Sequence, residues 1–355
     1  MCNIAGYVGN RDAAPILIDM LRREEGIDAG YYTGLATIHN GKIYYRKLCG
    51  DLDKLLRETD AAALPGKIGI IHSRTKSGGP DEWSHPFVSA GKNGKEPIIA
   101  YVANGNSGIF RTRDPECVRI ADTLIANGYK MDSEIKLDDG IYTRLSNGNM
   151  VHMSDTMCSL IAEKIDLGYD AHSAMATAFS EMPGDIVGLL LSVTDPDKVF
   201  WSKISRPMNV AFANHGAYLA TTTMAFPEDV ETVATKLPVL SAGYVTKSGF
   251  YSEKYENPPA EVVTADLTVM KKVHSAIEEA LSDGEPRHLY ELHRATKNYL
   301  PALTDKVATY TQATYEALEA LHREGRLEII RERVDAVLDG ESAPYYKFKL
   351  KVENR

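Results

Sequence analysis

Cys2 is the residue with the widest chemistry open to it. In Met1-Cys2-Asn3-Ile4-Ala5-Gly6-Tyr7-Val8-Gly9, removal of the first methionine would leave a thiol and a free α-amino group on one residue. Such an amine has a reference pKa of about 7.7–8.0, so a useful fraction is neutral near pH 7 and can take the thiol proton. Nucleophile and general base would then share a residue, a compact version of the activated-nucleophile scheme. The side chain of Cys2 is small enough to permit that removal. Taken alone, a cysteine here is as well explained by chance; other stretches of the chain give it weight. Two of them concentrate reactive side chains. His72-Ser73-Arg74 opens a polar, glycine-rich loop that runs through Trp83 to His85-Pro86, and Asn104-Gly105 ends the apolar run Pro97 to Ala103.

The elements that must hold these residues are legible in outline. Ile4, Tyr7 and Val8 with Gly6 and Gly9 read as a short strand. Arg11 to Arg23 carries Ile16, Leu17, Met20 and Leu21 at the spacing of one helix face. Gly34 to His39 and Lys42 to Arg46 flank Asn40-Gly41, a strong short-range hairpin signal. Leu52 to Glu58 reads as a short helix, and Lys67 to His72 and Pro97 to Ala103 as buried strands. Val118 to Asn127 is helical in pattern. Ser154-Asp155-Thr156 is expected to cap a helix ending at Ile165, and Ala171 to Glu181 is a second helix. Strands are expected over 188–193, 199–202, 210–212 and 217–220. Helices grouped between such strands point to an α+β layered fold.

The stretch 253–264, with Asn257-Pro258-Pro259, reads as a linker between residues 1–252 and 265–355. Beyond it, Leu267 to Leu281, Pro286 to Tyr299 and Lys306 to His322 read as three helices, and two strand-like runs come after them. That order is winged-helix-like. Glu316, Glu319, Glu324, Glu328 and Glu332 leave this segment short of the basic character a DNA-reading helix needs. It is read instead as a dimerisation or docking module.

Composition narrows the setting. The chain has 355 residues, 44% hydrophobic and 25% charged, with a net charge of −9. This is the profile of a soluble globular protein, and the acidic balance argues against a phosphate backbone as main partner. No run approaches the ~20 apolar residues of a membrane span. Besides Cys2 there are Cys49, Cys117 and Cys158, without metal-ligand spacing and suited to a reducing cytosol. They read as buried small hydrophobes. A cytoplasmic location, small-molecule chemistry and no metal or cofactor are the expectations.

Several motifs together resemble the class II glutamine amidotransferases, the N-terminal-nucleophile family, and in particular the glutaminase domain of glucosamine-6-phosphate synthase. They are the Met1–Gly9 start, Arg11–Leu17, His72-Ser73-Arg74, Ser77 with Gly79, His85-Pro86, Ala103-Asn104-Gly105, Ser154-Asp155-Thr156, and Gly184 onward to Ser205-Arg206-Pro207. They occur in the family's order and span roughly residues 2–250. The resemblance implies a four-layer αββα N-terminal-nucleophile hydrolase fold and roles for matched residues. Cys2 would be the nucleophile, and the Asn104 amide with the Gly105 N–H the oxyanion hole. Arg74 would clamp an α-carboxylate with its bidentate fork, assisted by Ser77. Thr75, Gly79 and His85 would line the same loop, His85 in a structural role.

The departures concern the substrate. Asn3 and Thr75 stand where the family commonly has glycine and tryptophan, and the stretch between Asn104 and Ser154 is longer. Met157 is matched to the aspartate that holds the ammonium of free glutamine, a loss of roughly 2–5 kcal/mol in a buried site. The expectation is therefore hydrolysis of a glutamine-like amide through a thioester at Cys2, with a modified amino group on the substrate. Plain glutamine requires a new acid such as Glu134, Asp138 or Asp139. Two other readings are an ammonia-supplying subunit of a two-chain synthase and a ligand-sensing regulator with a degenerate amidotransferase domain. A homodimer is the expected assembly.

Overall fold

The structure, a computed structural model, describes residues 2–76, 78–136, 143–230, 234–300, 307–308, 310–335 and 341–351. Two antiparallel sheets face each other. The first has seven strands in the order Thr235–Lys236, Asn209–Ala213, Gly216–Ala220, Asn3–Gly9, Ile68–Arg74, Tyr32–His39, Lys42–Cys49. The second has six, in the order Phe250–Lys254, Ser241–Val245, Val199–Lys203, Asp185–Ser192, Ile99–Asn106, Phe87–Ser89.

Alternation within each strand explains the layering. In Asn3–Gly9, Ile4 and Val8 turn toward the second sheet and join Ile70, Val102, Leu189 and Trp201 in the core between the sheets. Ala5 and Tyr7 turn the other way, against Leu17, Met20 and Leu21 of α1 (Ala13–Glu24) and Leu52 and Leu55 of α2 (Leu52–Glu58). On the outer side of the second sheet lie α3 (Asp114–Ala126), α4 (Met153–Asp166) and α5 (Ala171–Glu181), sharing a core with Tyr101, Phe179 and Phe200. Burial of each such side chain contributes roughly 1.5–3 kcal/mol, which fixes the register of both sheets.

The fourth core belongs to the C-terminal segment. Its elements are α6 (Leu267–Leu281), the strand Arg287–His288, α7 (Leu289–Thr296), α8 (Tyr310–Arg323) and the hairpin Leu327–Asp335 with Ser342–Leu350. The three strands pair antiparallel with Ser342–Leu350 in the middle. Pro286 to Tyr299 is therefore not one helix. Arg287 and His288 pair with Phe348 and Lys347, and His288 then caps α7 in a reciprocal arrangement with Glu291.

This segment packs tightly on the sandwich. Ile27 and Met224 of the first domain lie in its core, Tyr346 donates to the Arg22 carbonyl at 2.7 Å, and Arg333 pairs with Asp51 and with Asp53. The expected linker is held at its start, where the Tyr255 N–H donates to the Leu240 carbonyl at 3.0 Å. Among the described residues no helix is long and apolar enough to cross a membrane.

Candidate active site

The site lies where the two sheets open beyond the start of the N-terminal strand. Ile4 pairs with His72 and Asn3 with Ser73, and the half-buried Cys2 comes directly before this strand. His72 crosses to the second sheet, its Nε2–H donating to the Ala103 carbonyl at 3.1 Å. Asn104 and Gly105 come directly after and pair with Val187 and Ile186. One side-chain bridge thus ties the strand paired with Asn3–Gly9 to the strand of the two expected oxyanion donors. Gly105 has φ +133°, and a Cβ there would stand 2.0 Å from the Asp185 carbonyl oxygen, so no other residue fits without moving the strand.

Arg74 is 2% exposed. It donates to the Trp83 carbonyl at 2.8 Å and the Gly78 carbonyl at 2.6 Å, and its guanidinium lies 3.7 Å from the Tyr32 ring centroid. Its Nε, also buried, has no hydrogen-bond partner among the described residues. In this conformation the fork organises the loop that comes after it. Gly79, at φ +100°, sits so close to Trp83 that a Cβ would meet the indole at 2.0 Å. Thr75 is half-buried beside this loop. Ser77, expected next to the carboxylate, lies outside the described residues, as do Asp138 and Asp139. Glu134 accepts from Asn147 and Asn149 at 2.9 Å each.

Behind the loop stand three buried histidines. The rings of His72 and His85 stack at 3.9 Å, and His152 meets His85 edge-on at 5.3 Å. Burial holds all three toward the neutral form, His72 at about 3 and the others well below the usual imidazole range. Both ring nitrogens of His85 are buried without a hydrogen-bond partner among the described residues.

Met157 and Asp155 lie on different sides of α4's first turn from those the sequence suggested. Met157 packs in the apolar core beneath the second sheet. The cap of α4 is His152, whose Nδ1 accepts from the Ser154 N–H at 3.1 Å, so Ser154 and Asp155 already belong to the helix. Asp155 is turned inward and is 1% exposed. Its Oδ2 accepts from the Ser133 N–H at 2.8 Å and hydroxyl at 2.7 Å, while its Oδ1 has no partner among the described residues. Burial lifts its pKa to about 6, against the lowering effect of the Ser133 bonds. The Ser133 carbonyl accepts from the Trp83 indole at 2.8 Å. Arg74, Trp83, Ser133 and Asp155 therefore form one continuous chain of hydrogen bonds. Ser133 carried no signal in the sequence, because it enters through tertiary contact alone.

Among the described residues no group of three or more His, Cys, Asp or Glu side chains is placed to hold a metal.

Comparison with known proteins supports the same class from two directions. A glutamine--fructose-6-phosphate aminotransferase of Zymomonas mobilis is 27% identical over 229 residues, 63% of this chain and 32% of that protein. One of Pyrococcus horikoshii is 26% identical over 234 residues, 64% of this chain and 33% of that protein. The chain spans about a third of the length of these curated relatives. Among solved structures, the glutamine phosphoribosylpyrophosphate amidotransferase of B. subtilis aligns with a TM-score of 0.57 at 16% identity, over 81% of this chain and 60% of that one, which shows the fold. No protein-family model matches the chain. Sequence and fold agree: this chain is a relative of the class II glutamine amidotransferases, enzymes of the N-terminal-nucleophile class.

Proposed function

We propose that the chain hydrolyses the side-chain amide of glutamine through a thioester on Cys2. The observation that supports this is the bridge from Ile4 through His72 to Ala103, which ties the strand that follows Cys2 to the strand that ends in Asn104 and Gly105. With Met1 removed, the thiol proton passes to the α-amine as Sγ attacks the amide carbonyl. The oxyanion is received by the Asn104 amide and the Gly105 N–H. The C–N bond breaks as the amine returns that proton to the departing ammonia, and water then cleaves the thioester to a carboxylate.

Free glutamine is favoured over an amino-modified amide. The case for modification rests on Met157, which lies in the core. Asp155 offers a buried carboxylate oxygen without a partner among the described residues, linked through Ser133 and Trp83 to Arg74. In this reading it receives the α-ammonium, and Arg74 turns from its loop carbonyls to the α-carboxylate, with Ser77, Thr75, Gly79 and His85 around it. Asp155→Asn should raise KM for glutamine at least about thirtyfold, as expected when one partner of a buried charge pair is lost, and change kcat less. N-acetylglutamine turned over as fast as glutamine would sink this reading.

Residues 265–355 are read as a winged-helix-like unit used for docking on the amidotransferase domain, in a cytoplasmic protein. The support is the strand order of its small sheet and the burial of α8 between its own core and the sandwich. The relatives are aminotransferases of about three times the matched length, so an acceptor for the ammonia on a separate chain is the second reading. Ammonia release into solution by the purified chain at full rate would weigh against that reading.

A further inference from the structure

The turn that presents Asn104 and Gly105 rests on Asp185. Asn106 pairs with Asp185 and Gly105 with Ile186, and the Asp185 carbonyl oxygen fills the space where a side chain at Gly105 would begin. Farther along the same turn the Asn106 Oδ1 accepts from the Gly108 N–H at 2.8 Å. Gly108 has φ +55°, and a Cβ there would stand 2.7 Å from the Asp185 Cβ. The turn therefore touches Asp185 at two glycines, and in packing this close a shift of one side displaces the other.

Asp185 is in turn held by Ser205-Arg206-Pro207, a motif that the thioester chemistry leaves without a role. The Arg206 Nε–H donates to the Asp185 carbonyl at 3.0 Å, the same carbonyl that packs on Gly105. An Nη of Arg206 pairs with the Asp185 carboxylate at 2.5 Å, and the Ser205 hydroxyl donates to the other carboxylate oxygen. The backbone adds two bonds, from the Ile204 and Ser205 N–H groups to the Ile186 carbonyl at 2.9 and 3.4 Å. The side chains of Arg206 and Asp185 are only 14% and 17% exposed, so water and salt screen the pair weakly. The planar guanidinium grips the carbonyl and the carboxylate of one residue together, which the single ammonium of a lysine would not do.

We propose that Arg206 is a positioning residue for the oxyanion hole, acting through Asp185 on the turn at Gly105. The proposal rests on the reading of Asn104 and Gly105 as oxyanion donors. Such donors bond charge that develops only in the transition state. A displaced turn therefore costs kcat and leaves the binding of the ground-state amide nearly unchanged.

The test measures glutamine hydrolysis and backbone hydrogen exchange on the same full-chain variants. Arg206→Gln should lower kcat at least about tenfold, the scale of moving an oxyanion donor by a fraction of an ångström, with KM within about threefold of the parent. Arg206→Lys restores the ion pair without the double grip and should be at least about threefold faster than Arg206→Gln. In Arg206→Gln the amides of residues 103–108 should exchange at least about fivefold faster, while those of the 32–49 hairpin keep the parent rate. Tyr290→Ala, exposed on α7, should change neither readout. If Arg206→Gln does not fold, the same change combined with Asp185→Asn, which leaves no unpaired charge, is read by the same criteria. A smaller loss of kcat overturns the proposal, as does a loss carried by KM, a lysine variant no faster than the glutamine one, or acceleration shared by the hairpin. A chain that hydrolyses no amide defeats the proposed function instead. The exchange rates then decide the positioning alone: faster exchange at 103–108 upholds it, and the parent rate overturns it.

Discussion

The two flanks of the N-terminal strand answer burial in opposite ways. Behind the Arg74 loop stand His72, His85 and His152; on the other side, at α1 and α8, stand Glu24, Glu25 and Glu319. Burial makes the charged form costly for both sets. For the histidines it lowers the pKa, to about 3 at His72. For the carboxyls it raises it, to about 8 at Glu25 and about 7 at Glu319. The consequences for stability have opposite signs. The histidine contribution is present above the unfolded value of about 6.5 and is lost as pH falls toward 3. The carboxyl contribution is present below the unfolded value of about 4.3 and is lost as pH rises through 7 to 8. The three histidines stay neutral near pH 7. The flank that holds the C-terminal unit titrates there.

That contrast can be broken by three substitutions. The largest effect belongs to the inner flank. Asn104→Ala should lower kcat for amide hydrolysis by about 10²–10³, the usual cost of one oxyanion donor, while the pH dependence of the melting temperature stays that of the parent. A melting curve that moves as much as the rate would mean that Asn104 is structural. Next comes the outer flank. Glu319→Gln imitates the protonated carboxyl, so the fall in melting temperature between pH 5.5 and 8.5 should become shallower by roughly 1–3 °C, with the acid limb unchanged. Equal curves for variant and parent would remove Glu319 from the titrating set. The smallest effect is expected at Met157→Leu, a swap of similar volume in a packed core. It should cost under about 1.5 kcal/mol and leave KM for glutamine within twofold. A KM that shifts tenfold would return Met157 to the substrate pocket.

Local pattern was enough for much of this fold. The Asn40-Gly41 hairpin, the Leu52–Glu58 helix and α5 announce themselves by turn chemistry and periodicity. Of the candidate site, the sequence showed the strand ends that carry the motifs, at His72-Ser73-Arg74 and Asn104-Gly105. The site was not legible where a single register decided the chemistry. Ser154 looks like a helix cap because serine is a good one, yet a histidine side chain two residues earlier takes that place, and the acid moves from outside the helix to its buried face. The strand Arg287–His288 was hidden for a related reason. Its partner is some sixty residues away in sequence, and tertiary pairing overrides a local helical pattern.

The N-terminal strand is paired on one side with Gly216–Ala220 and on the other with Ile68–Arg74, so its contacts span up to 217 positions in the chain. Translation at about 5–20 residues per second means that the earliest residues wait tens of seconds before the strand that completes their sheet has been made. The sheet around this strand therefore closes late in the biogenesis of the sandwich.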